Sequence, residues 1–385
     1  MAPLISVANR LIAAGERIRP LWLRKWVFAT LFSVYGYFHR VQALLVQLRM
    51  PVSKVVGEGK DGGRLCLLFV GREAFSLYLG DLLFREPPRL ERIGMMFVWR
   101  LRRVARMAPS DVDGVLVSCD RFYQRWLEKA GLYVFPHFVD MVLDVSDPVD
   151  VFFKKSTKSA KADIQKVRKH GYSFEVCSDV DCLRLFYERM YLPLIQTRHG
   201  DAPVYTPPFL FFRWLRLIGY RLMLVKDKQG DVIAGCFYGV NHGTAFVRYL
   251  GVIDGDIELV RKGAESAMYY FFVLHPEDPG VRATNFGGAR PFFNDGLFRY
   301  KQKWGMTVGI SDVTPEIFGL RLMSDGEPLR EFLLNNPLIG INDKKELVGY
   351  VFVNKNTLTD ALGEQYEKRF QMPGLKQVLF TPLEL

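Results

Sequence analysis

Residues 220–305 read YRLMLVKDKQGDVIAGCFYGVNHGTAFVRYLGVIDGDIELVRKGAESAMYYFFVLHPEDPGVRATNFGGARPFFNDGLFRYKQKWG, and the hydrophobic pattern of this stretch decides the fold. Three apolar segments, YRLMLVKD, VIAGCFYGVN and TAFVRYLGVI, are separated by Gln229-Gly230 and by His242-Gly243. Both dipeptides have the chemistry of tight hairpin turns, and the segments between them are rich in β-branched and aromatic residues. The pattern therefore predicts three consecutive antiparallel strands.

The second half of this stretch predicts a helix, a strand and a shorter helix. In DIELVRKGAESAMYYFFVL the apolar positions recur at alternating steps of three and four, which places them on one helix face. These positions are Ile257, Val260, Ala264, Ala267, Phe271 and Leu274. ATNFGG then reads as a short strand that ends in two glycines, and NDGLFRYKQKWG as a short helix that Gly305 stops.

Further elements are predicted on both sides. Upstream, YSFEVCS predicts a strand, Asp179 the N-cap of a long helix, and Thr206-Pro207 the start of another helix. Residues 64–146 alternate strands and helices, and residues 54–63 read as a polar linker. Downstream, MTVGISDVT, ELVGYVFV and KQVLFT predict strands, and EPLREFLLNN a helix.

The predicted fold class is α/β (α+β), with a mixed, mostly antiparallel sheet flanked by helices and a smaller N-terminal α/β unit. We divide the chain into a basic amphipathic helical segment (1–55), a small α/β domain (56–146), the domain that contains the opening stretch (147–313), and a C-terminal α/β extension (314–385).

Composition and charge point to a folded protein with an anionic partner. The chain has 385 residues, nearly half of them hydrophobic, and a formal net charge of +11. Such a balance favours nucleic acid, an acidic membrane surface or a phosphorylated substrate without choosing among them. The five cysteines are scattered and form no CxxC pair, so we expect reduced core residues of a cytoplasmic protein. The histidines show no metal-ligand spacing, so we expect no metal.

Two segments concentrate basic residues. Residues 1–50 place arginines among apolar residues and beside Trp22 and Trp26, which suits either a helix in a membrane interface or a helix packed on the folded body. Residues 154–169 carry seven Lys or Arg against the one acid Asp163. The spacing predicts a helix with Ile164 inward, whose lysines either contact phosphates or form a solvated face.

Two motifs carry a resemblance to a known family. The first is FFKKSTKSAKADIQKVRKHGYSFEV, a basic helix that leads into a strand, and the second is FGGARPFFNDGLFRYKQKWG. With the strand order, they make residues 149–313 similar to the GNAT acyltransferases, and to their FemAB-like branch in particular. That branch includes peptidoglycan bridge peptidyltransferases and acyltransferases associated with exopolysaccharide synthesis. Residues 64–146 would then be a degenerate second GNAT-like domain.

The resemblance implies an acyl donor and a place for it. GNAT enzymes that use acyl-CoA hold its pyrophosphate on a glycine-rich loop at a helix N-terminus. The nearest match here is Arg261, Lys262 and Gly263, with a single glycine, and acidic residues surround it. FemAB-like members often lack the loop, and some use aminoacyl-tRNA instead. Acetyl-CoA or another acyl-CoA is our first expectation because it is the commoner donor in the superfamily.

The resemblance also implies which residues would be catalytic. Lys301 is similar to the lysine that Fem peptidyltransferases place near the acyl carbonyl, where a cation stabilises the tetrahedral intermediate. A surface lysine on an amphipathic helix is the alternative. Asp295 is the first candidate to accept or position the proton of the nucleophile, and otherwise the N-cap of its helix. Asp254 is the second candidate, and otherwise a turn residue.

Four further residues are expected to bind donor or substrate. Arg248 and Tyr249 lie on the fourth strand of the GNAT-like order, whose splayed backbone N–H groups would receive the acyl carbonyl. Arg248 should face the cleft or an acid, because a buried, unpaired arginine is costly. Arg290 would bind a phosphate or carboxylate. Asn285 would bind substrate or close the strand end.

The resulting hypothesis is an acyltransferase that moves an acetyl or aminoacyl group to an amine or hydroxyl of a cell-envelope or polysaccharide precursor. The acceptor would be an anionic or lipid-linked saccharide or peptide, reached from the cytoplasm or from the inner-membrane surface through residues 1–50. One alternative is an aminoacyl-tRNA-dependent peptidyltransferase, and another is a non-catalytic, degenerate GNAT scaffold at the membrane. All depend on the segments 244–253 and 282–288 lying side by side and parting at one end.

Overall fold

A computed structural model describes most of the chain. The described residues are 37–38, 40–71, 78–199, 206, 211, 220–274, 280–311, 313–323, 326–354 and 360–383. The chain forms two compact units, each assembled from separated stretches. The first comprises residues 1–38, 142–287 and 303–306, and the second residues 39–141, 288–302 and 307–385. The predicted helices within residues 1–36 and after Pro207 lie outside the described residues.

Sixteen strands and twelve α-helices are named here within the described residues. The strands are β1 (Arg49–Glu58), β2 (Arg64–Val70), β3 (Arg89–Phe97), β4 (Gly114–Asp120), β5 (Tyr133–Pro136), β6 (Val139–Asp144), β7 (Ser173–Cys177), β8 (Arg221–Lys226), β9 (Val232–Asn241), β10 (Thr244–Val252), β11 (Ala283–Ala289), β12 (Thr307–Ile310), β13 (Glu316–Leu322), β14 (Leu338–Ile341), β15 (Leu347–Val353) and β16 (Val378–Pro382).

The α-helices are α1 (40–47), α2 (Leu79–Leu83), α3 (Gln124–Lys129), α4 (Val149–Lys155), α5 (Lys158–Lys169), α6 (Val180–Phe186), α7 (Leu192–His199), α8 (Ile257–Arg261), α9 (Ala264–Leu274), α10 (Gly296–Gln302), α11 (Glu327–Asn335) and α12 (Asp360–Phe370). Short 3-10 helices span Val98–Met107, Arg121–Tyr123 and Ile253–Gly255, and a π-helical turn spans Tyr187–Tyr191. No described helix has the length and apolar character needed to cross a membrane.

The first unit contains the sheet predicted from the opening stretch. Five strands of this seven-stranded sheet run in the order β11-β10-β9-β8-β7. The pairs β7–β8, β8–β9 and β9–β10 are antiparallel, and β10–β11 is parallel. An aromatic core formed by Phe186, Tyr191, Phe211 and Phe237 packs on this sheet. The predicted GNAT-like strand order is therefore confirmed, and with it the mixed α/β fold class.

The second unit contains a six-stranded sheet in the order β3-β1-β2-β4-β13-β5 and a three-stranded sheet in the order β14-β15-β16. Its core is large and apolar, with Val55, Phe69, Phe135, Phe318 and Leu338 all at most 2% exposed. The sheet reaches this size because β13, from the C-terminal part of the chain, is inserted between β4 and β5.

Two sequence expectations about secondary structure are wrong. Residues 54–63 are not a linker, because β1 spans residues 49–58 and pairs with both β2 and β3. Residues 256–274 are not one helix, because Gly263 adopts a φ of +96° between α8 and α9. A position with a left-handed backbone conformation interrupts an α-helix, and glycine is the residue that adopts this conformation most readily.

The cysteine expectation is confirmed for Cys66, Cys119 and Cys236, which are free and buried. It is wrong for Cys177 and Cys182, which form a disulfide. The chain turns sharply between the end of β7 and the start of α6 there, and this turn brings the two sulfur atoms together. Sequence spacing alone does not reveal such a turn.

Candidate functional site

The candidate site is the place where β10 and β11 part. The two strands pair over three residues only, 244–246 against 283–285. β10 nevertheless continues to Val252 and β11 to Ala289. Within the described residues, the hydrogen-bonded ladder between the two strands ends at Phe246 and Asn285. Beyond Phe246, the backbone groups of β10 that face β11 are therefore not part of that ladder. The fork predicted from the sequence is therefore present within the first unit.

A β-bulge in β10 lies immediately beyond the last paired residue. Val247 pairs with Tyr238 of β9 and Tyr249 pairs with Phe237, so Arg248 is the extra residue. A bulge bends its strand and disrupts the local ladder. The Arg248 side chain is exposed, in agreement with the expectation that it would not be buried without a partner.

Tyr249 places a neutral hydroxyl beside the bulge. Its ring packs among Tyr191, Phe211 and Phe237, and its hydroxyl lies 2.8 Å from the Thr206 hydroxyl. Burial raises the pKa of Tyr249 above its ordinary value, while the hydrogen bond to Thr206 opposes that shift. A phenol in this state is protonated at neutral pH and can donate a proton.

The far side of the fork is shaped by Gly287. This residue has a φ of +76°, and its N–H donates to the Asn285 side-chain oxygen at 2.7 Å. Asn285 is the last β11 residue paired with β10, and its side chain bonds to the β11 backbone two residues further on. A Cβ on Gly287 would lie 4.0 Å from the Val247 carbonyl oxygen, so the residue keeps open space in front of β10.

The N-terminus of α9 already carries carboxylates from the protein. The Ser266 hydroxyl, in the first turn, donates to Asp163 of α5 at 3.1 Å, and Asp163 is also paired with Lys303. Glu265 accepts from Arg198 at 2.7 Å. Helix N-termini attract anions, and here the protein itself supplies the negative charge. This is the position that would receive a CoA pyrophosphate.

The three residues expected to replace the glycine-rich loop occupy the junction of α8 and α9. Arg261 is paired with Glu258, one turn earlier on the same short helix. Lys262 caps that helix, and a Cβ on Gly263 would lie 3.4 Å from the Lys166 Cβ of α5. The structure brings Arg261, Lys262 and Gly263 together, and it adds α5 as their neighbour.

The helix α5 has the inward face predicted for it. Ala160, Ile164 and Val167 are buried, and Thr157 caps the helix by accepting from the Ala160 N–H at 3.1 Å. Arg168 is held by the Tyr270 hydroxyl at 3.0 Å. Arg168 is exposed, and so are the four lysines of this helix: Lys158, Lys161, Lys166 and Lys169.

Asp254 forms an ion pair that makes it a poor general base. Both of its carboxylate oxygens accept from the Arg189 guanidinium, each at 2.7 Å. That hydrogen bond lowers the pKa of Asp254 below its usual value. Asp254 also has a φ of +52°, which fits the turn role considered as its alternative.

In the second unit, Lys301 is buried and not a surface lysine. Its side chain lies on α10 with only 2% of the residue exposed, and Nζ donates to the Gly288 carbonyl oxygen at 3.0 Å. Gly288 follows Gly287 in β11, so Lys301 holds the outer end of that strand. The alternative of a solvated lysine on an amphipathic helix is wrong.

Asp295 and Arg290 lie near one aromatic ring of the second unit. The Asp295 carboxylate accepts from the Phe298 N–H at 2.9 Å, which makes it the N-cap of α10. The Arg290 guanidinium lies 4.8 Å from the centre of the Tyr78 ring. Burial raises the pKa of Tyr78, whose hydroxyl donates to the His137 carbonyl oxygen at 2.8 Å.

The sequence reasoning did not anticipate the roles of Asp163 and Lys303. Asp163 was noted only as the lone acid of a basic segment, although a single carboxylate on the inner edge of a lysine-rich helix is a signal that it has a specific partner. Lys303 offered no signal, because its pairing with Asp163 joins residues 140 positions apart.

One group of potential metal ligands is found among the described residues. It consists of Cys177, Asp179 and Cys182, whose ligand atoms all lie within 4.8 Å of one another. The two sulfur atoms form a disulfide, and Asp179 accepts from the Cys182 N–H as the N-cap of α6. In this state the group is structural.

A surface cavity of about 450 Å³ lies elsewhere in the second unit. It is lined by Val308, Gly309, Ile310, Glu346, Leu347, Gly374, Leu375 and Lys376. None of these is a predicted site residue, and the two charged side chains of the lining pair with each other at 3.9 Å. We do not assign the chemistry to this cavity.

Comparisons with known proteins come from structures alone. No family model and no curated protein matches the sequence. Among solved structures, L-PGS from Bacillus licheniformis is 13% identical, with a TM-score of 0.36 over 72% of this chain and 86% of that one. FemX is 12% identical, with a TM-score of 0.36 over 74% and 90%. A GCN5-related N-acetyltransferase from Sphaerobacter thermophilus is 14% identical, with a TM-score of 0.31 over 71% and 77%.

Overlaps at these TM-scores are too partial to carry an inference. The functional proposal therefore starts from the strand order, the parallel β10–β11 pair and the bulge at Arg248.

Proposed function

We propose that this protein is a GNAT-type acyltransferase whose acyl carbonyl binds in the fork between β10 and β11. The observation that carries the proposal is the early end of the β10–β11 ladder, after residues 246 and 285, combined with the bulge at Arg248. Backbone N–H groups that are released from a ladder and fixed by the rest of a sheet form a preorganised oxyanion site.

The chemistry follows from groups near this fork. An acceptor amine or hydroxyl attacks the carbonyl carbon and forms the new C–N or C–O bond. The bond between that carbon and the donor oxygen or sulfur breaks, and the proton lost by the nucleophile returns to the leaving group. The Tyr249 hydroxyl is our candidate proton relay: it gives its own proton to the leaving oxygen or sulfur, and the phenolate then takes up the proton released by the nucleophile. Lys301 is proposed to support the outer end of β11 through the Gly288 carbonyl.

For the donor, we now favour an aminoacyl ester of tRNA over acyl-CoA. A CoA pyrophosphate at the N-terminus of α9 would meet the Asp163 carboxylate and the neighbouring Glu265. These carboxylates already hold the Ser266 hydroxyl and the cations Lys303 and Arg198, so the site offers a pyrophosphate little net positive charge, and a donor without a pyrophosphate avoids that cost. The exposed lysines of α5 offer a surface for the phosphates of an acceptor stem.

The acceptor is proposed to be an amine or hydroxyl on an anionic or lipid-linked cell-envelope or polysaccharide precursor. The support for this is the basic balance of the chain, +11 overall, which favours anionic partners in general.

Titration of the purified protein with acetyl-CoA and with aminoacyl-tRNA tests the donor. We expect micromolar binding of charged tRNA that weakens as salt rises, and no saturable heat with acetyl-CoA. Lys158→Gln/Lys161→Gln should weaken tRNA binding and reduce its salt dependence. The matched control is Lys344→Gln/Lys345→Gln, which removes two lysines from the β14–β15 turn. Tight acetyl-CoA binding would reverse the donor assignment, and binding of neither donor would favour the non-catalytic scaffold.

A further inference from the structure

The edge of the six-stranded sheet exposes an unusual number of large apolar side chains. β3 is the outermost strand, and eight of its nine residues are exposed. With the following 3-10 helix, Val98–Met107, it forms what we call the β3 surface, the exposed side chains of residues 89–107. Its apolar members are Leu90 (51% exposed), Ile93 (49%), Met95 (37%), Phe97 (42%), Trp99 (49%) and Met107 (48%). Large apolar side chains exposed this often within one segment indicate an interaction site.

Two aromatic rings occupy the middle of this surface. Phe97 and Trp99 stack with their centres 4.5 Å apart and their planes 11° apart. The Arg49 guanidinium of β1 lies 5.9 Å from the centre of the Phe97 ring. The end of α1 adjoins this point, because Val98 N–H donates to the Leu48 carbonyl oxygen, and Leu48 is itself 41% exposed.

The charge of the β3 surface is strongly positive. Residues 89–107 contain six arginines and one acid, Glu91. The 3-10 helix packs Val98, Leu101 and Val104 inward. Its exposed side therefore presents Trp99 and Met107 together with four arginines: Arg100, Arg102, Arg103 and Arg106. Exposed aliphatic and aromatic side chains next to arginines are the composition of a membrane-interface segment.

We propose that the β3 surface docks on an anionic lipid membrane. Arginines would contact the headgroup phosphates, while Phe97 and Trp99 enter the boundary between headgroups and acyl chains. RNA fits less well, because Leu90, Ile93 and Met95 have no ring for base stacking and would gain nothing from phosphate contacts. A second copy of the chain fits less well too, because a two-fold contact would bring the same arginines face to face.

Binding of the full chain to vesicles of defined composition tests this proposal. We expect binding to vesicles that contain 40% phosphatidylglycerol in phosphatidylcholine, and little to phosphatidylcholine alone. Arg102→Gln/Arg103→Gln should weaken binding by about thirtyfold, from the usual contribution of each arginine near an anionic surface. The matched control, Lys368→Gln/Arg369→Gln on α12, removes the same charge from two exposed residues and should change binding by less than about threefold.

A second measurement localises the contact, since residues 1–50 are another candidate for membrane binding. Brominated phosphatidylglycerol quenches tryptophans that enter the acyl region. We expect quenching of the wild-type protein, and a loss of most of it in Trp99→Phe, which keeps an apolar ring at the surface. The proposal is overturned if both double variants weaken binding equally, if Trp99→Phe is quenched like the wild type, or if the arginine variant loses tRNA binding while vesicle binding persists.

Discussion

Each unit contains a parallel strand pair, and the two pairs end differently. In the second unit, β2 pairs with β4 up to Val70, its last residue, and Gly71 then packs onto β4 so closely that a Cβ would lie 2.7 Å from the Ser118 carbonyl oxygen. In the first unit, β10 and β11 stop pairing after three residues although both strands continue. The first ending is closed by the chain itself, and the second is open.

The surroundings of the two endings differ in charge as well. At the closed end, Ser118 and His137 are buried and lie 3.0 Å apart, a contact between neutral groups. Beside the open end, charges are paired one by one, as in Asp163 with Lys303 and Glu265 with Arg198. The comparison shows that a parallel strand pair can end inside a packed core, as β2–β4 does, or can part and leave a candidate site, as β10–β11 does. We therefore expect the acyl carbonyl to bind at the open ending and not at the closed one.

The largest expected effect is on Lys301, which holds the outer end of the open pair. Lys301→Met keeps most of the side-chain volume and removes the donor to Gly288. We expect kcat of acyl transfer to fall by about 10², the order of loss when a site shifts by about 1 Å after a positioning contact is removed. The measurement is single-turnover transfer from the donor identified by titration.

Lys303→Met is the matched control for that experiment, because it makes the same change two residues away. Lys303 pairs with Asp163, so its loss should lower the melting temperature more than it lowers kcat per folded molecule. Equal kcat values for Lys301→Met and the wild type would show that Lys301 has a purely structural role.

The next effect concerns the carboxylate at the N-terminus of α9. Asp163→Ala leaves Lys303, 19% exposed, without this partner, and we expect a loss of about 2 to 3 kcal/mol in the free energy of unfolding. Asp150→Ala is the control, because Asp150 pairs with Lys154 while both side chains are more than 70% exposed, and such a pair contributes about 0 to 1 kcal/mol. Equal losses in urea titrations of the two variants would contradict the distinction.

The closed ending makes a prediction about pH. Burial lowers the pKa of His137 to about 4, while an unfolded histidine titrates near 6.5. Below pH 6.5 the unfolded chain takes up a proton that the folded state refuses, so stability falls as the pH drops from 6.5 towards 4. At pH 5 the loss relative to pH 7 is about 2 kcal/mol for this group.

His137→Gln should remove that part of the pH dependence, because glutamine does not titrate and can still bond with Ser118. Urea unfolding of both proteins at pH 7 and pH 5 measures the difference. A variant as sensitive to pH as the wild type would mean that His137 is accessible to protons in the folded state, and the ending would not be closed.

The sequence predicted the open ending better than the closed one. Hairpin dipeptides and local periodicity fix β8, β9 and β10, because each strand pairs with its neighbour along the chain. β11 follows one helical hairpin later, and its two glycines signalled the strand end. These contacts are short in sequence, and local patterns encode them.

The second unit depends on contacts that local patterns do not encode. β13 enters the sheet between β4 and β5 from almost 200 residues away, and the sequence reasoning had no strand there. β1 resembles a linker in sequence because Lys54 and Gly57 interrupt its apolar residues, of which Met50, Val52 and Val55 are buried. The same limit applies to the site, since Asp163 and Lys303 meet only after the fold has formed.

The smallest expected effect concerns the backbone of β11 itself. Gly287 has a φ of +76°, a conformation that costs an L-amino acid about 1 to 2 kcal/mol. Gly287→Ala should therefore lower the free energy of unfolding by about 1 kcal/mol, although a methyl group there has open space. Gly309→Ala is the control, because Gly309 also lies in a strand with open space around it but without a positive φ.

Alanine at position 309 should be neutral or slightly stabilising, since it restricts the unfolded chain more than glycine does. If Gly287→Ala is as stable as Gly309→Ala, β11 relaxes easily at Gly287, and the fork depends on the bulge at Arg248 alone. If Gly287→Ala costs the expected amount and also slows transfer, the left-handed turn is what keeps β11 away from β10. The open ending would then be fixed from both strands, by an extra residue in one and by a glycine in the other.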